Sequence, residues 1–139
     1  MTEFKSNPIH IITPAQKIYT FLTDFNNFER LMPGQVVHWK SDAESCSFAI
    51  QGMADLALKM GEKREYSKVT YNSAEPSPFC FSLQFSIEDE STGSFVSCSL
   101  TAELSPMIKM MVSRPLQNFV TLLVEKLKQE MEAGISNQS

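Results

Sequence analysis

Two histidines and three cysteines are the whole supply of imidazole and thiol chemistry in this sequence. His10 stands between Ile9 and Ile11, and His38 lies in Val36-Val-His-Trp-Lys40. Neither falls in an HxH or HExxH spacing and no CxxC pair occurs, so the donor patterns that hold zinc are missing and no metal site is expected. Cys46, Cys80 and Cys98 are odd in number and follow no secretory signal, which reads as free, buried thiols in a reducing compartment. Cys46 would act as a nucleophile only if a neighbouring base lowered its pKa, and it falls on an apolar strand face. A serine nucleophile needs a strained elbow beside a histidine, and GxSxG is absent. GxGxxG and the P-loop are absent as well, so no nucleotide site is indicated. No catalytic residue and no cofactor is assigned. Asp24 reads as the cap of a short helical turn.

The bulk composition narrows the function classes further. The chain has 139 residues, the size of one domain, with 12 basic and 16 acidic side chains for a net charge of −4. That balance gives no electrostatic reason to bind a nucleic acid. Hydrophobic residues make up 42%, enough for a packed core without disulfides. The longest strongly apolar stretch, Phe119 to Val124, is far too short for a membrane span. The N-terminus lacks the apolar run of a signal peptide, so a soluble cytoplasmic protein is the expectation. Ten phenylalanines and eight methionines are a surplus that the fold must place.

The elements that position these residues follow from periodicity. Residues 3–12 read as extended. Thr13-Pro14 opens a helix from Ala15 to about Thr23, with Thr13 as its cap and Pro14 at its first position. Asp24 opens a second short helical segment, which Pro33-Gly34 stops. From residue 36 the period becomes two. Segment 44–51 sets Cys46, Phe48 and Ile50 against Ser45, Ser47 and Gln51. Segment 54–62 sets Ala54, Leu56, Leu58 and Met60 together. Segment 64–74 reads as one polar strand carrying Tyr66, Val69 and Tyr71, with Arg64 and Tyr66 sharing a face. Segment 79–89 alternates most clearly, with Phe79, Phe81, Leu83, Phe85 and Ile87 on one side. After the turn Ser91-Thr-Gly93, segment 94–104 aligns Val96, Cys98, Leu100, Ala102 and Leu104. At the first of these strands Val37 and Trp39 are the pair expected to face inward, leaving His38 exposed. Short turns between strands imply an antiparallel meander with one apolar face that needs a cover. The cover is a helix from Met107 to about Glu132, capped by Ser105-Pro106 and ending at Gly134. Its stripe is Val112, Leu116, Val120, Leu123, Leu127 and Met131, widened by Met111, Phe119 and Leu122. Pro115 predicts a kink or short break near Val112. The fold class is therefore α+β: a sheet of six to seven strands under one long C-terminal helix. Residues 1–133 form the single domain and 134–139 a short tail.

Three stretches carry a family resemblance. Ile12-Thr-Pro-Ala-Gln-Lys-Ile-Tyr-Thr-Phe-Leu-Thr-Asp24 resembles the strand-end, proline, helix and aspartate pattern of the START/SRPBCC superfamily, and Asn27-Phe-Glu-Arg-Leu-Met-Pro33 is similar to the segment after it. Ser105 to Phe119 resembles a subgroup of bacterial SRPBCC proteins of unassigned function. The resemblance spans about residues 3–130. It implies a helix-grip fold, a curved antiparallel sheet around the long helix, with two short helices after the first strand and an apolar cavity between sheet and helix.

In such a cavity the inward ligand-binding candidates from the alternation are Phe48, Leu58, Met60, Phe81, Leu83 and Phe85. From the helix they are Met107, Met110, Met111 and Phe119. Flexible methionines suit an adaptable apolar wall. A lone inward Arg or Tyr often orients a ligand's polar head in helix-grip cavities, which adds Arg64 and Tyr66. The leading function is non-catalytic binding or transport of a small hydrophobic ligand of lipid, isoprenoid or polyketide-like type. A cyclase or dehydrase acting in the same cavity would need at least two converging ionisable groups, and the sequence offers few. A chaperone-cofactor-like interaction module would need an exposed apolar patch. A homodimer is compatible with each reading.

Overall fold

The longest unbroken alternation in the chain becomes the spine of the sheet. Phe81–Glu90 (β7) and Gly93–Ala102 (β8) pair along their full length, from Phe81 opposite Ala102 to Glu90 opposite Gly93. Phe81, Leu83, Phe85 and Ile87 are buried on one side, and Val96, Cys98, Leu100 and Ala102 join them across the ladder. The computed structural model describes residues 2–32, 34, 36–50, 55–75 and 77–136. Gln51, Ala54 and Pro33, expected as outward, inward and helix-stopping, lie outside the described residues.

The remaining strands are Thr2–Lys5 (β1), Ile9–Ile11 (β2), Val36–Ser41 (β3), Ser45–Ile50 (β4), Asp55–Arg64 (β5) and Lys68–Ser73 (β6). All pairings are antiparallel, in the order β1-β8-β7-β6-β5-β4-β3, with β2 also on β8. The expected first extended segment is thus two strands on one edge, interrupted before Pro8, which has no N–H to give a ladder. Ser6 bridges the gap: its N–H donates to Cys98 O and its hydroxyl accepts the Cys98 N–H, both at 2.9 Å. At the β7–β8 turn Gly93 has φ 141°, and a Cβ there would meet Ile11 O at 2.2 Å, so only glycine lets β2 end against this turn.

Three helices complete the fold: Ala15–Leu22 (α1), Phe25–Phe28 (α2, followed by a 3₁₀ turn at Glu29–Leu31) and Pro106–Ser136 (α3). Asp24 caps α2 as expected, accepting the Asn26 N–H at 2.9 Å. The cap of α1 differs. Pro14 occupies the cap position, Thr13 turns its hydroxyl to Ile12 O, and the Ala15 N–H donates to Asp89 Oδ1 from the end of β7 at 3.2 Å. A distant carboxylate thus takes the role expected of a local threonine. Ser105 does cap α3, accepting the Ile108 N–H.

α3 is continuous through Pro115, without the expected break, and it also runs past Gly134. Its apolar stripe is buried at Val112, Leu116, Val120, Leu123 and Leu127. The helix lies over β8, β1, β2 and the 3₁₀ turn, while α1 packs on β6 and β7. The fold is the α+β helix-grip arrangement: an open antiparallel sheet, a long C-terminal helix, and short helices after the first strands.

Candidate functional site

The core between the sheet and its helices is lined by side chains that strand alternation sends inward. Phe48, Leu58, Phe81, Leu83, Phe85 and Phe119 are all at 6% exposure or less, so six of the sequence-selected residues do converge. Met60 is partly buried against the same core. Two ring assemblies lie among these side chains. Under α1 and α2, Phe25, Phe28, Tyr71 and Phe85 meet with centroid separations of 5.0–6.2 Å, mostly edge to face. Toward β3, the rings of Trp39, Phe48 and Phe119 stack in series at 5.7 Å per step, within 28° of parallel. This second assembly links β3 and β4 to α3 through side chains.

Trp39 reaches that stack through a bulge. The β3–β4 register shifts between Val37 and Lys40, and His38 takes a left-handed φ of 58°. The extra residue breaks the alternation, so Val36 rather than Val37 accompanies Trp39 against the core. His38 is exposed, as expected. Trp39 keeps its indole N–H bonded to the Ser41 hydroxyl at 3.2 Å, which in turn donates to Asn26 Oδ1.

Five of the selected residues do not face the interior. Segment 64–74 is two strands, not one: Glu65, Tyr66 and Ser67 form a tight hairpin turn, closed by the Ser67 N–H to Arg64 O bond at 3.0 Å. Arg64 is exposed at the strand end. Tyr66 is exposed in the turn at φ 60°, a strained conformation for a bulky residue, and packs edge-on to Tyr19. Met107, Met110 and Met111 are 74%, 86% and 69% exposed. They occupy the helix face opposite the stripe that Val112 and Leu116 bury, because a helix turns ~100° per residue and the buried positions extrapolate back to Ile108.

The residue that sequence reasoning undervalues is Tyr71. It is fully buried and its hydroxyl donates to Leu22 O at 2.6 Å, tying β6 to the end of α1. Its alternation with buried Val69 is the available signal. Burial pushes its pKa well above the ordinary phenol range, with Cys98 and Cys46 adding to the shift. Burial likewise pushes the Cys46 thiol up to about 12, and raises Cys98. Both thiols therefore stay protonated near neutrality. Cys80, expected to be buried, is exposed.

Among the described residues the polar side chains that are buried are Thr13, Ser94 and Tyr71, and none is left without a hydrogen-bond partner. No cluster of three His, Cys, Asp or Glu side chains converges among them. Open grooves lie outside the core. One of about 730 Å³ is lined by Thr2 and Glu103–Pro106 with Lys109, at the start of α3. Among the described residues no helix is long and apolar enough to cross a membrane.

No family model matches the chain, and no curated protein matches it in sequence. Solved structures do match in fold. A START superfamily protein from Mycobacterium smegmatis superposes with TM-score 0.67 at 14% identity, covering 94% of this chain and 97% of its own. A protein from Thermus thermophilus gives TM-score 0.69 at 16% identity, covering 96% and 99%. The di-domain ARO/CYC StfQ of the steffimycin biosynthetic pathway gives TM-score 0.71 at 13% identity over 96% of this chain and 52% of its own. With the sheet order and the long C-terminal helix described above, these superpositions identify the fold of this chain as START/SRPBCC-like.

Proposed function

We propose that this protein binds a small apolar molecule between its sheet and α3, as a carrier or sensor without catalysis. The observation that carries the reading is the Trp39–Phe48–Phe119 ring stack, which runs from the partly buried indole on β3 to the underside of α3. α3 has its closest backbone neighbours in β8, β1, β2 and the 3₁₀ turn, and it meets β4 through a layer of side chains, Phe48 against Phe119. Side chains in such a layer can change rotamer to admit a flat or flexible apolar guest, whereas a helix packed directly on a strand cannot. Phe48, Leu58, Leu83 and Phe119 are the residues assigned to contact the guest, with Met60 as an adaptable wall.

The kinship in fold with an ARO/CYC protein raises the question of catalysis. Acid–base catalysis needs ionisable groups with pKa values near the working pH. The buried titratable groups among the described residues are Cys46, Cys98 and Tyr71, all driven away from neutrality by burial. That favours binding over turnover. The test is native mass spectrometry of protein purified without detergent, followed by solvent extraction. A co-purified apolar compound, or saturable displacement of an apolar fluorophore by farnesol, is the expected result. An empty protein that no apolar probe enters would overturn the proposal.

A further inference from the structure

The outward face of α3 changes character along its length. Its first turns present Met107, Met110 and Met111, at positions i, i+3 and i+4 of one face, all largely exposed. Farther along, outward positions carry Asn118, Glu125 and Gln129, ordinary solvated residues. The methionines contribute little to folding, since Ile108 and Val112 make the inward contacts of these turns. Exposing three neighbouring thioether side chains has a hydration cost that nothing inside the molecule offsets.

Charge on the same segment is one-sided. Arg114 continues the methionine face one turn on, and Lys109 is exposed on the flank that lines the groove with Glu103. Between Glu103 and Glu125 the sequence has no acid, so this stretch carries two positive charges on a molecule of net charge −4. Lys and Arg can keep their charged ends at a headgroup plane while their stems lie along apolar surface. Flexible apolar side chains backed by cations match the interface of an anionic bilayer. The same cations oppose a soft metal ion at the thioethers. Three side chains also fall well short of the roughly 800 Å² that each partner gives to a stable dimer.

We infer that the first turns of α3 dock this protein on anionic lipid surfaces, Met107, Met110 and Met111 entering the interface and Lys109 and Arg114 engaging the headgroups. Docking is peripheral, since no described helix is long and apolar enough to span. It does not depend on the ligand reading, which is tested with probes free in solution.

Vesicle flotation of the full chain tests the inference, comparing phosphatidylcholine alone with phosphatidylcholine plus phosphatidylglycerol. The wild type should float with the anionic vesicles at low salt and be released by high salt. Met107→Ser, Met110→Ser and Met111→Ser together should lower the bound fraction about tenfold. Lys109→Glu with Arg114→Glu should erase the preference for phosphatidylglycerol. All these positions are exposed, so thermal melting should match the wild type and separate lost docking from lost folding. Failure of the wild type to float, or variants that float as well as it does, would overturn the inference. So would sedimentation showing a wild-type dimer that the serine variant loses, because a second copy would then cover the face.

Discussion

The two ends of α3 have the same regular backbone and opposite relations to the rest of the molecule. Toward its C-terminus the helix is held from several sides. Leu123, Val124 and Leu127 are buried. Lys128 Nζ donates to His10 O and to Glu132 Oε2, both at 2.8 Å, and the same Glu132 oxygen accepts the Ile12 N–H at 3.1 Å. Toward its N-terminus only Ile108 and Val112 turn inward, while the three methionines face water. A serine cap and the inward contacts of Ile108 and Val112 hold the first turns; packing and hydrogen bonds from several sides fix the last ones. One end of the helix grips, and the other end is free to present a surface.

Leu127→Ala should cost about 2–5 kcal/mol, the usual range for emptying a closed core site, whereas Met110→Ala should stay within about 0.5 kcal/mol. Chemical denaturation of the two variants measures the contrast directly, and equal losses would dissolve it. Tyr71→Phe should cost about 1–3 kcal/mol, because Leu22 O keeps its burial and loses its donor. That variant shows how firmly the α1 end is fixed by comparison with the methionine end. Glu132→Gln should cost about 1 kcal/mol or less, as for a partly exposed ion pair. The Lys128 hydrogen bond holds the Glu132 pKa below the ordinary carboxylate value, with the Ile12 N–H helping. A depressed carboxylate contributes stability above its unfolded pKa and loses it as the pH falls through the folded one. The wild type and Glu132→Gln should therefore converge in melting temperature as the pH drops below the carboxylate range, and diverge near neutrality.

The fold is legible in the sequence because its longest elements obey a single period. Strand β7 alternates from Phe81 to Ile87 and β8 from Val96 to Ala102, and the α3 stripe from Val112 to Leu127 keeps helical spacing. Sequence and structure part where a local rule meets a non-local one. The β3 bulge shifts the register under Trp39, a kink that no alternation reveals in advance. The hairpin turn at Tyr66 carries neither glycine nor asparagine, so its left-handed residue leaves no mark in the sequence. Residue type alone sends the three methionines inward, although spacing back from Val112 reaches Ile108. Asp89 capping α1 joins residues 74 positions apart, which only the folded sheet makes neighbours. Of the twelve ligand-binding candidates, those on strand interiors and Phe119 converge; those at a strand end, in a turn or on the helix's first turns do not.

The most direct test of the central claim uses the protein's single tryptophan. Trp39 terminates the ring stack, so a guest seated against Phe48 and Phe119 must alter its surroundings. Titration of the intact protein with farnesol, read by Trp39 emission, should give a saturable change at one guest per chain. An emission spectrum that stays constant, or drifts without saturating, would contradict an apolar binding site between sheet and helix.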